Sequence, residues 1–218
     1  MKNEISLVFD FLDPWGWVAE RRLRLAMRKV AIAAPITYRP CRTSLSRKAV
    51  GHHFADYQQL RFGSHAKSHE ERLVAEASSL GLAFGALNIQ KTPDPWYAMI
   101  ALANEHRHSS ELFNAIYAAI FRDGRDVGNI EVMEELLRSE SADTAVETLL
   151  SDRALSVELL QSEQEVAQWS RNLTPCIRIG DVIVSGAQPP CVLERLLLRP
   201  ASADALTLNG EGIPSTLA

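Results

Sequence analysis

Asp13, Pro14, Trp15, Gly16 and Trp17 stand where the chain changes period, from an apolar run over residues 5–11 to an amphipathic helix. A carboxylate at that junction has two readings. It can cap the helix, where the free N–H groups and the dipole favour it. It can also act as a general base or ligand contact, if a substrate proton comes within hydrogen-bonding reach. Trp15 and Trp17 could wall a groove, or one could be exposed while the other packs against a sheet. Far along the chain, Thr174-Pro175 opens another strand, and Ser185-Gly186 precedes the last helix. Disulfide exchange needs a thiolate and, in the usual cycle, a resolving thiol. The three cysteines, Cys41, Cys176 and Cys191, are widely spaced and form no Cys-x-x-Cys pair. Cys41 and Cys176 read as small buried hydrophobes, with a relocated thiol as the alternative. Cys191 sits in the first turn of the last helix.

His65 and His69 have the spacing of a helical metal pair, but no third ligand stands nearby. They read as a solvated helix face, as do His52-His53, His106 and His108. No phosphate loop and no Gly-x-Ser-x-Gly is present.

The elements that must position these groups follow from periodicity. A strand over residues 5–11 leads into a helix with Ala19, Leu23, Ala26, Met27 and Val30 inward. Pro14 suits the first turn, whose N–H groups have no partner. Residues 35–40 make a second strand between prolines, and residues 41–64 read as polar and irregular. Helices are expected over residues 66–80, 93–105, 112–120, 129–137, 141–150 and 154–170. Two strands then flank Gly180-Asp181, a favoured hairpin turn. A final helix spans residues 188–198, and residues 200–218 read as a loosely ordered tail. The order is β-α-β, about a hundred helical residues, then β-β-α. Neither half can bury a sheet alone, which implies one interleaved unit.

The chain resembles the DsbA-like thioredoxin superfamily, specifically its FrnE-type cytoplasmic branch. Asp13-Pro14-Trp15-Gly16-Trp17 aligns with that family's Cys-Pro-Trp-Cys-aromatic run, both cysteines replaced. Leu173-Thr174-Pro175 matches the dipeptide before the third strand, whose proline is cis in the family. Val184-Ser185-Gly186-Ala187-Gln188-Pro189 and residues 121–127 match two further runs. The resemblance covers roughly residues 4–198. It implies an α/β, thioredoxin-like fold with an inserted all-helical domain (DsbA-like). The thioredoxin-like part would be residues 1–50 and 151–199, with the helical insertion at 51–150. It implies a site with Asp13 in the nucleophile's position and a ligand held by Pro14, Trp15, Gly16, Trp17, Thr174, Pro175, Ser185 and Gly186. The chain is also similar to kappa-class glutathione transferases and 2-hydroxychromene-2-carboxylate isomerases, whose junction reads Ser-Pro-Tyr-x-Tyr. Those enzymes carry an acidic residue after the last glycine, where this chain has Gly186-Ala187-Gln188.

The 218 residues are 46% apolar and 23% charged with a net charge of −4, an ordinary globular composition. Such a charge disfavours nucleic acid and anionic membranes as partners. No apolar run approaches the length of a membrane helix. The odd cysteine count fits a reducing, cytoplasmic setting. The expectation is a family member without the redox dithiol, holding a small thiol or peptide beside Thr174, with glutathione the candidate ligand and no metal. Two alternatives stand beside it: a glutathione-dependent isomerase or transferase of the kappa type, and a non-catalytic binding protein.

Overall fold

A computed structural model describes residues 4–85, 91–105, 109–140, 146–199 and 207–208. Strand β1 (Ile5–Phe9) is buried throughout and alternates between two cores. Ile5, Leu7 and Phe9 face the main core. Val8 faces a smaller cluster with Cys41, Val166 and Cys176. Helix α1 (Trp15–Lys29) follows, then β2 (Ile36–Pro40), parallel to β1.

The stretch after β2, expected to be irregular, instead holds α2 (Ser44–Ala49) and α3 (Phe54–Phe62). Both are short, and tertiary contacts hold them. The Thr43 hydroxyl accepts the Ser46 N–H at the start of α2. Phe54 and Tyr57 bury one side of α3 against the aromatic core. A 3-10 turn over Gly63–His65 leads into α4 (Ala66–Ser79). Helices α5 (Trp96–Asn104), α6 (Ser109–Phe121), α7 (Ile130–Ser139) and α8 (Val146–Ser151) complete the insertion. Asn129 accepts the Glu131 N–H and caps α7. His106, His108 and residues 141–145 of the expected sixth helix lie outside the described residues.

Helix α9 (Arg153–Ser170) returns the chain to the sheet, capped by Asp152. Strands β3 (Cys176–Ile179) and β4 (Val182–Ser185) form the hairpin, turning at Gly180 with φ +61°. Helix α10 (Pro190–Leu197) packs beside α1. The sheet runs β2-β1-β3-β4, with β3 antiparallel to both neighbours. Of residues 200–218 the described pair Thr207–Leu208 forms β5, parallel to β4. Among the described residues no helix is long and apolar enough to cross a membrane.

One core spans sheet and insertion. The Phe9 ring meets Phe11 and Phe113 edge-on at 4.9 and 4.8 Å, and Tyr117 links them to Trp17 and Phe121. Each such ring, fully buried, is worth about 2–3 kcal/mol of transfer free energy. The helix that follows β1 is therefore held against the insertion, and the α1 N-terminus is positioned from both sides.

Candidate functional site

Asp13 is fully buried at the entrance to α1. Pro14 already has helical torsions (φ −62°, ψ −20°), so Asp13 occupies the capping position. Its Oδ1 accepts the Trp15 N–H at 3.1 Å. Its Oδ2 takes an ion pair from Arg61 Nη2 at 2.8 Å and lies 3.4 Å from Thr174 Oγ1. The same Arg61 nitrogen reaches the Thr174 carbonyl at 3.5 Å. One carboxylate thus joins three segments: the start of α1, the end of α3 and the residue before Pro175. The Thr174–Pro175 bond is cis. Both oxygens of Asp13 are in use, and neither faces solvent.

Burial opposes the charge on Arg61. The fields of Asp13 and Tyr57 outweigh it and hold the guanidinium pKa above its ordinary value. Burial raises the Tyr57 phenol, although the Arg61 charge works the other way. Asp10, also buried, accepts the Leu12 N–H at 3.0 Å and the Thr43 N–H at 2.9 Å. Desolvation raises its pKa against those hydrogen bonds.

The Tyr117 hydroxyl donates to the Asp10 carbonyl at 2.9 Å and lies 3.3 Å from that of Asp13. It fills the space a side chain at residue 16 would need. A Cβ on Gly16 would overlap Tyr117 Oη outright, 3.0 Å from Cζ and 3.3 Å from Phe9 Cβ. Gly16 is thus required by a close approach, not by a turn. Positions 13 and 16 thus hold an ion-paired carboxylate and a glycine pressed against a phenol.

The other expected ligand contacts are spread over several environments. Pro14, Gly16, Trp17 and Pro175 are buried, and Trp17 donates its indole N–H to Asn114 at 2.9 Å. Trp15 and Thr174 are half-buried at the surface. Gly186, at φ +78°, donates its N–H to the Pro175 carbonyl at 2.8 Å. Gln188 braces the Ser185 carbonyl at 2.6 Å, and Arg22 ties the turn to α1 through the Ala187 carbonyl at 2.5 Å. Among the described residues no protein acceptor pairs with the Thr174 N–H.

No thiol enters this site. Cys41 and Cys176 pack with Val8 and Val166 against α9. Burial pushes the Cys41 thiol up to about 11, helped by Glu163 and Asp10, and the Cys176 thiol up to about 12. Cys191 is exposed on α10. His65 and His69 bring no metal cluster: among the described residues no group of three or more potential ligands exists. His69 stacks on Phe62, with centroids 4.0 Å apart.

Sequence reasoning missed Arg61 and the role of Tyr117. A buried carboxylate requires a cation, but among 23 Lys and Arg residues periodicity selects none.

Solved structures share the architecture. A probable DsbA oxidoreductase from Streptomyces coelicolor is 24% identical, covers 89% of this chain and 88% of its own, and superposes with a TM-score of 0.75. A 2-hydroxychromene-2-carboxylate isomerase is 17% identical over 88% and 92%, with a TM-score of 0.65. The cytosolic disulfide reductase DsbM from Pseudomonas aeruginosa is 15% identical over 80% and 83%, with a TM-score of 0.53. No curated protein matches the sequence. The DSBA-like thioredoxin domain matches residues 4–198, and the chain belongs to that family.

Proposed function

We propose that this chain is a thioredoxin-fold binding protein that holds a small thiol or a peptide against Thr174 and carries out no dithiol exchange. One observation carries the reading. At the position aligned with the family's nucleophile stands a buried carboxylate, ion-paired to Arg61 and hydrogen-bonded to the backbone. What remains for a ligand is the unpaired Thr174 N–H, with half-buried Trp15 held by the same Asp13 carboxylate that Thr174 Oγ1 meets. An extended ligand can pair with such a group as an added strand does.

Glutathione is the natural first probe, because DsbM has been solved with GSH. The Arg61 guanidinium favours this choice: a ligand thiolate beside Asp13 would meet a compensated charge rather than a bare carboxylate. A glutathione-dependent isomerase of the kappa type rests on the same point and is the second reading. Within the family, residues 121–127 and the run from Val184 to Pro189 support the FrnE-type branch. The unpaired cysteines support a reducing, cytoplasmic compartment.

Calorimetric titration of the folded protein with reduced glutathione and with an extended hexapeptide tests the reading. Saturable binding of either is expected, lost in Thr174→Pro, which removes the N–H, and unaccompanied by reduction of a disulfide substrate. Binding of neither, or catalytic disulfide turnover, would overturn it.

A further inference from the structure

The side chains around Asp13 continue outward in an unbroken series of contacts. The Arg61 guanidinium lies over the Phe62 ring at 5.0 Å. Phe62 stacks on His69, the planes only 12° apart. His69 Nδ1 is 3.3 Å from Arg72 Nη2. Arg72 lies over the Trp15 ring at 5.3 Å, and Trp15 returns to Asp13 through its N–H. The contacts close on themselves. Asp13 and five residues of α1, α3 and α4 form a ring whose members other than Asp13 are cationic or aromatic.

Within that ring the two arginines differ. Arg61 is committed to Asp13. Arg72 is exposed, and among the described residues no carboxylate pairs with it. Glu76, one turn further along α4, is engaged with Arg22, and Glu71 with Lys67. An arginine stacked on tryptophan is pre-organised, so it loses less side-chain entropy when it binds an anion. Its planar fork matches a carboxylate.

We propose that Arg72, set between Trp15 and His69, recognises a carboxylate on the ligand bound at Thr174. The inference rests on the binding function proposed above and names its ligand class: a small molecule or peptide with a free carboxylate.

Two matched probe pairs test it by calorimetry: reduced glutathione against its diethyl ester, and a hexapeptide with a free C-terminus against its amide. The charged member of at least one pair should bind about tenfold more tightly, the worth of one good charge-assisted contact. Arg72→Gln should abolish that advantage and Arg72→Lys should restore part of it. Arg138→Gln, which removes the same charge from α7, should leave it unchanged. Equal affinity within both pairs, or an advantage untouched by Arg72→Gln, overturns the inference while leaving binding at Thr174 intact. Failure of all four probes to bind overturns both.

Discussion

Adding one carbon at residue 16 tests whether Tyr117 has taken the space of a second thiol. In a helix, alanine is favoured over glycine by up to about 1 kcal/mol. Propensity alone would therefore make Gly16→Ala stabilising. The new Cβ, however, would overlap Tyr117 Oη. Tyr117 cannot easily give way: it is fully buried, stacked between Trp17 and Phe121 and tilted against Phe113, and its hydroxyl donates to the Asp10 carbonyl. Overpacking of this kind costs about 1–3 kcal/mol, and a rigid neighbour places the cost near the top of that range. The net effect should be a loss of about 2 kcal/mol, or about 4–8 °C in Tm for a chain of this size. Tyr117→Phe alone should cost about 1–2 kcal/mol through the lost hydrogen bond. It leaves Cζ at 3.0 Å and Phe9 Cβ at 3.3 Å, which small adjustments relieve. In that background Gly16→Ala should be nearly neutral, giving a coupling of about 2 kcal/mol in a double-mutant cycle. Urea unfolding at equilibrium measures all four proteins. A Gly16→Ala protein as stable as the parent, or effects that add within about 0.5 kcal/mol, would refute the reasoning. A thiol at residue 16 would then be accommodated after all.

Other perturbations reach the remaining contacts. Arg61→Leu leaves Asp13 buried without a counterion and should cost about 3 kcal/mol; Asp13→Asn in the same chain should recover much of that, by urea unfolding. A thiol-alkylating reagent at pH 8 should modify Cys191 quickly and Cys41 and Cys176 only after unfolding, and peptide mass spectrometry showing fast labelling of either buried thiol would contradict their placement. Burial alone would raise the Glu163 pKa, but hydrogen bonds from Arg42 and the Arg42 and Arg47 charges outweigh it and lower it below 4.5. That stability is fully present above pH 4.5 and is lost as pH falls through the depressed pKa. Glu163→Gln should therefore flatten the acid limb of stability against pH; an unchanged slope would show that the pair contributes nothing.

The legible parts of the chain were those with a period or a local signal. The switch from apolar run to helix at Asp13-Pro14, the helix start at residue 129 and the Gly180-Asp181 hairpin all lie within a few residues of what they control. Helices α2 and α3 escaped because six- and nine-residue helices rich in Ser, Arg, Gln and Asp offer little period; packing of Phe54 and Tyr57 holds α3. The site was half legible for the same reason. Asp13 could be read as a cap from its position before a proline. Its pairing with Arg61, 48 residues away, and its contact with Thr174, 161 residues away, exist only in the folded chain. Tyr117 falls inside the helix expected over residues 112–120, but its hydroxyl's place against Gly16 has no counterpart in spacing.

Whether a ligand binds at Thr174 can be read from ¹H–¹⁵N correlation spectra of the ¹⁵N-labelled protein titrated with reduced glutathione. The amide signals of Thr174 and Trp15 should move saturably and together. Signals that shift only around Cys41, Cys176 or Cys191, or no shift at Thr174 and Trp15, would contradict binding at Thr174.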